Sequence, residues 1–176
     1  MNELTLQLPT LEHKAAAEDF KQEFMVAQEL VINGSALLDQ MEYEPWLVHT
    51  TNNRKPSIVR SDWVPATTFF VLRNHDGKII GMLDVRHNLN HEFLARYGGH
   101  IGYSVRPSER KKGYATDMLK MGLEYAKSLH IDRAMLGCYA DNLASAKTIK
   151  KCGGILSETK PYLDGKSMNV YWINLE

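Results

Sequence analysis

The stretch Val105-Arg106-Pro107-Ser108-Glu109-Arg110-Lys111-Lys112-Gly113-Tyr114-Ala115-Thr116 joins an alternating apolar segment to a helical one. Before it, Gly98-Gly99 opens a strand in which Ile101, Tyr103 and Val105 alternate with His100, Gly102 and Ser104, and Pro107 ends it. After it, residues 114–129 place Ala115, Met118, Gly122 and Tyr125 on one helix face. A turn between strand and helix exposes main-chain N–H groups at the positive end of the helix dipole, and Gly113 lets a ligand approach them closely. With the countercharge of Arg110, Lys111 and Lys112, the turn reads as a cradle for phosphate or pyrophosphate. It is neither a P-loop nor a dinucleotide fingerprint, since G-x-x-x-x-G-K-[ST] and G-x-G-x-x-G are both missing. The bland alternative is a solvated basic turn at a helix start.

Working outward, Arg133 to Cys138 alternates as a strand, so strand, helix and strand form a βαβ unit whose two strands are expected to run parallel. Asn142 to Lys151 reads as a helix stopped by Gly153-Gly154, followed by strands near Ile155 to Thr159 and Met168 to Ile173. Upstream, Thr67 to Arg73 and Ile79 to Arg86 form a hairpin around Asn74-His75-Asp76-Gly77. Leu4, Leu6 and Leu8 make a short first strand. A helix capped by Thr10 follows, with Phe20, Phe24, Ala27 and Val31 on one face and Asn33-Gly34 as its stop. Ala36 to Tyr43 fits a second short helix, whereas Pro45 and the polar run from Thr50 to Ser57 read as loop.

A length of 176 residues, 44% hydrophobic and 24% charged, fits one globular domain over residues 1–176. Lys and Arg number 21, as do Asp and Glu, so no excess basic charge supports a nucleic-acid partner. No run approaches the ~20 apolar residues of a membrane span, and Met1 to Thr10 does not resemble a signal peptide, so a cytoplasmic protein with no membrane partner is expected. Cys138 and Cys152 form neither a C-x-x-C pair nor a metal-ligand array, which fits a reducing compartment and no bound metal. The zero net charge is segregated: residues 1–50 hold nine acids against Lys14 and Lys21, while residues 106–112 carry a net +3.

Arg110-Lys111-Lys112-Gly113-Tyr114-Ala115 resembles the R/Q-x-x-G-x-G/A motif of the GNAT superfamily of acyl-CoA N-acyltransferases. Asn142 with Ser145 beyond the next strand, and Lys151-Cys152-Gly153-Gly154, are similar to that family's second motif. Val64-Pro65-Ala66-Thr67-Thr68, Arg86-His87-Asn88-Leu89 and Gly98-Gly99-His100-Ile101-Gly102-Tyr103 look like a bacterial subgroup of predicted acetyltransferases. The resemblance implies an α/β (α+β) fold: a mixed, mostly antiparallel sheet flanked by helices, with the central parallel pair splayed to admit acetyl-CoA. It implies a cofactor-binding core at 98–154 and an acceptor side at 1–62.

The same resemblance implies a pyrophosphate site on the N–H groups from Lys111 to Ala115 and on into Thr116, with charge from Arg110 and Lys112. The strand edge Tyr103-Ser104-Val105 would pair with the pantetheine arm, and Asn142 would hydrogen-bond it, with Ser145 one turn on. Asn142 is equally suited to a plain helix N-cap. A main-chain N–H near Val105 would serve the oxyanion. Many members carry a proton-donating Tyr seven residues after the motif Asn, but here Ile149 stands there. Tyr139, Tyr114 and water are the substitutes. Cys138 alternates as a core residue.

For the base, His100 and His87 titrate in the right range, with structural histidines as the alternative. Glu42, Tyr43, Glu44 and Trp46 form an acidic aromatic cluster able to hold a cationic amine, unless it is simply a solvated helix face. The expected activity is therefore acetyl transfer from acetyl-CoA to a primary amine. A non-catalytic acyl-CoA sensor and a ligand-free structural domain are the competing readings. The terminal strands allow a homodimer but do not require one.

Overall fold

The computed structural model describes residues 3–176. Its elements are β1 (Leu4–Gln7), α1 (Lys14–Val26), α2 (Tyr43–Asn53), β2 (Ala66–Arg73), β3 (Ile79–Arg86), β4 (Ile101–Val105), α3 (Tyr114–Ser128), β5 (Arg133–Tyr139), α4 (Leu143–Lys151), β6 (Ile155–Pro161) and β7 (Ser167–Asn174). They form a four-stranded sheet in the order β1-β2-β3-β4 and a three-stranded sheet in the order β5-β7-β6. Every ladder among the described residues is antiparallel. No helix of the described residues is long and apolar enough to cross a membrane.

Two apolar layers cover the first sheet, which is why β2 and β3 are buried along nearly their whole length. One layer packs Phe69, Val71, Leu83 and Val85 with Met118 and Leu119 of α3. The other packs Phe70 and Met82 against Phe20, Phe24 and Trp46 of α1 and α2. Successive strand residues serve opposite layers, so the alternation on β4 sends Ile101 and Tyr103 toward α3. His100, Gly102 and Ser104 take the face toward α1 and α2.

The β4–β5 pair is splayed as expected: the two strands belong to different sheets and meet at a single bridge between Gly99 and Leu136. Two other expectations are corrected. α1 ends at Val26 rather than at Asn33-Gly34, because Gln28 turns left-handed (φ 60°) and the Glu29 N–H closes back on the Phe24 carbonyl. Ala27 and Val31 are consequently exposed. The second helix begins at Tyr43, where the sequence pattern would end it, and Pro45 lies in its first turn, where the missing N–H costs nothing.

Candidate active site

The site is a fork between β4 and β5. At its closed end, the His100 N–H donates to the Met135 carbonyl (2.7 Å), and the Met135 N–H donates to His100 Nδ1 (2.9 Å). Beyond that stitch the strands share no ladder. Main-chain phase then decides what the open edges present. Bonds from Arg86 N–H to the His100 carbonyl and from Arg106 N–H to the Ile80 carbonyl, both 2.7 Å, fix the β3–β4 phase. Gly102 and Ser104 therefore face β3, while the N–H and C=O of Tyr103 and Val105 point into the fork. On β5, bonds from Leu175 N–H to Asp132 and from Ala140 N–H to Ser167, both 2.9 Å, turn Gly137 and Tyr139 toward it in the same way. The two open edges thus face each other.

At its mouth the fork meets the turn before α3. Among the described residues, the N–H groups of Lys111, Lys112, Gly113, Tyr114, Ala115 and Thr116 have no protein acceptor, and α3 has no side-chain cap. Its neighbour α4 is capped, with Asn142 Oδ1 accepting the Ser145 N–H at 3.1 Å. Lys111 and Gly113 are left-handed (φ 63° and 85°), and a Cβ on Gly113 would meet nothing within 4 Å. Free N–H groups arranged in this way can cradle an anion.

The basic side chains are differently employed. Arg110 grips Glu29 with both Nη atoms (2.6 and 2.7 Å) and gives Nε to the Val105 carbonyl (3.1 Å). Arg106, 3% exposed, bonds the Ile79 carbonyl, Asp19 and Glu23. Lys112 joins Arg73 and Lys78 around the buried Glu109, each at 2.9 Å, and these cations hold its carboxyl down at about 2. Tyr114 is likewise held, its hydroxyl donating to Glu3 (2.9 Å) and accepting from Arg73. Lys111 has no ion pair among the described residues. The charge expected for a phosphate is largely spent on acids, so an anion there would rest mainly on the amides.

Several sequence candidates occupy other places. His100 is buried, its Nδ1 is filled by the Met135 N–H, and burial together with Arg86 lowers its pKa to about 4. It stitches the fork and is unsuited to accept a proton there near neutrality. His87 bonds Thr67 Oγ1 (2.8 Å), which in turn bonds Tyr125 of α3, so it lies on the other face of the sheet. Tyr139 donates to Asp164 (2.8 Å), which with burial pushes its hydroxyl up to about 12. Glu44 pairs with Lys14 at 3.1 Å and Glu42 is an exposed N-cap of α2. Trp46 is wholly buried between Tyr43 and Phe70, so no acidic aromatic acceptor site forms there.

Ile149 is also buried, packed against Gly154 rather than facing the fork. A hydroxyl nevertheless reaches α4 from the opposite strand. Tyr103 crosses from β4 to share a 3.0 Å hydrogen bond with Ser145, and burial raises its pKa to about 12. Side chains on a helix lean toward its N-terminus, so a residue at 149 would reach toward 145. The sequence singles out Tyr103 only for its main chain. The pairing spans 42 positions, and no local pattern announces it.

The model of the GNAT acetyltransferase domain matches residues 3–155. A Bacillus subtilis protein named as an uncharacterized N-acetyltransferase, YnaD, is 26% identical over 114 residues, and the chain spans 64% of that relative's length as of its own. Three solved structures share the fold. The microcin C7 self-immunity acetyltransferase MccE, solved with acetyl-CoA and AMP, has a TM-score of 0.71 at 20% identity, covering 99% of this chain and 93% of its own. The candidate acetyltransferase yncA of Salmonella typhimurium, solved with acetyl-CoA, has a TM-score of 0.68 at 14% identity over 99% and 95%. A chimeric spermidine N-acetyltransferase from Vibrio cholerae and hSSAT gives 0.68 at 15% identity over 99% and 96%. With its family model spanning residues 3–155 and a splayed fork opening on a main-chain anion cradle, the chain belongs to the GNAT acetyltransferase family.

Proposed function

We propose that the protein transfers an acetyl group from acetyl-CoA to the primary amine of a small molecule or peptide, by direct attack with both substrates bound. The observation that carries this reading is the open-edged fork leading straight to the amide cradle. Such a slot fits a thin amide-bearing arm that adds like a strand, with its pyrophosphate on the N–H groups of residues 111–116. The acetyl-CoA held by two relatives of the same fold supports the assignment. Asn142 keeps its Oδ1 for the helix cap and has its Nδ2 for the arm.

The Tyr103 or Val105 N–H, aimed into the fork, takes the charge that develops on the thioester oxygen, a donor worth about 10² to 10³ in rate. The amine nitrogen bonds the carbonyl carbon, the C–S bond breaks, and the amine's surplus proton passes to water on the open face. Tyr103 Oη gives the departing thiolate its proton and recovers one through Ser145. A hydroxyl held near 12 stays protonated at neutral pH, as a donor must.

Incubation with acetyl-CoA and a panel of amines, read by thiol release, is expected to give amine-dependent turnover. CoA at a hundred times its Kd should stabilise the fold by about 2.7 kcal/mol. Stabilisation without turnover on any amine would overturn the transfer reading. No stabilisation would overturn the CoA site itself.

A further inference from the structure

On the sheet face covered by α1 and α2, β3 carries two opposite charges two residues apart, Asp84 and Arg86, in an otherwise apolar strand. Asp84 is buried and paired on both oxygens: Oδ1 accepts from Thr68 (2.8 Å), and Oδ2 forms an ion pair with Arg86, 2.8 Å from Nε. The guanidinium is thereby fixed along one edge. Its Nη1 makes only a 3.4 Å contact with the Gly98 carbonyl, and Nη2 has no acceptor among the described residues. The side chain is 20% exposed.

Its position is set by a glycine. A Cβ on Gly102 would stand 3.1 and 3.3 Å from the two Nη atoms, and Gly34 closes over the same spot. Gly102 directly precedes Tyr103, whose N–H points into the fork. His100, two residues back on the same face, feels the Arg86 charge. The guanidinium therefore lies on the sheet face covered by α1 and α2, over Gly102, one residue along β4 from Tyr103 and three from Val105, the two proposed oxyanion donors.

We propose that Arg86 binds a carboxylate of the acceptor, so that the physiological acceptor is an α-amino acid or a closely similar amine with a carboxylate a few bonds away. This inference rests on the acetyl-transfer reading. A planar guanidinium held by Asp84 on one edge presents its remaining donors as a fork matched to a carboxylate. It also replaces the cationic-amine expectation, because Glu42 and Glu44 lie outside the site and Asp84 is already neutralised.

The test uses the full chain with acetyl-CoA, the twenty amino acids, their primary amides and their decarboxylated amines. The best amino acid should exceed its own amide in kcat/KM by about tenfold or more, as for a site built to pair a polar group that the analogue lacks. In Arg86→Gln that ratio should fall to about one while turnover of the amide persists, and Arg86→Lys should lie between. A wild-type ratio near one, with transfer intact, would overturn the carboxylate assignment alone, and the wild-type ratio decides even where the variant is unstable. Equal loss of amino acid and amide in a folded Arg86→Gln protein would also overturn it. Absence of transfer to any amine would instead remove the reading beneath it.

Discussion

Arg110 and Glu29, 81 positions apart in sequence, meet fork to fork at 2.6 and 2.7 Å beside the N-terminus of α3. The pairing draws the Glu29 carboxyl below its usual range and keeps a carboxylate close to the proposed phosphate site. Any incoming phosphate must share Arg110 with it. Glu29→Gln should therefore tighten CoA binding about two- to fivefold, the range of a half-exposed ion pair, with the gain shrinking in high salt. Calorimetry with CoA at two ionic strengths measures this. An unchanged affinity would mean that the pair only fastens the segment after α1.

The stitch at His100 makes stability depend on pH. Its pKa is near 4 in the folded chain and 6.5 when released, so the unfolded chain binds the extra proton first as pH falls. The stability held above pH 6.5 is lost progressively toward pH 4, where a protonated Nδ1 would oppose the Met135 N–H. His100→Asn, whose amide oxygen can accept the same bond, should flatten some of that slope in a series of thermal melts. His13, His49 and His87, also lowered chiefly by burial, keep the remainder. An identical slope in the variant would refute the assignment.

If Tyr103 protonates the leaving thiolate, Tyr103→Phe should lower kcat by about 10² while CoA affinity changes little. Tyr139→Phe, which removes only a bond to Asp164, should leave kcat within about twofold. Steady-state rates with CoA titrations on both variants separate the two tyrosines. Equal rates for Tyr103→Phe and wild type would remove the role.

Placing a tyrosine seven residues after Asn142 should not help this protein. Ile149 is fully buried beside Gly154, so Ile149→Tyr overpacks the core and should cost about 1 to 3 kcal/mol in urea unfolding. No rise in kcat is expected. A stable, faster variant would show that α4 can turn that position into the fork.

The hairpin β2–β3, strand β4, helix α3 and the β5–α4 unit are legible in the sequence because their signals are local: alternation, a helical stripe, a glycine stop. The glycine-marked turn before α3 is legible for the same reason. What escapes depends on residues far apart in sequence. Arg106 and Arg110 reach Asp19, Glu23 and Glu29 over more than eighty positions, so much of the charge segregation that reads as two binding surfaces is a single internal seam. Trp46 is read as an acceptor contact by its neighbours Glu42 and Glu44, but helix α2 turns it inward onto Phe70. The Asp84–Arg86 pair does leave a trace, since two opposite charges at i and i+2 in an apolar strand must share one face.

The facing edges of β4 and β5 bear on solubility as well as on chemistry. An unpaired strand edge ordinarily invites a foreign strand and seeds aggregation. Here the main-chain groups of Tyr103 and Gly137 that join no ladder are turned toward one another across a gap. The molecule keeps its most adhesive backbone indoors, where a slender guest can reach it and a neighbouring protein cannot.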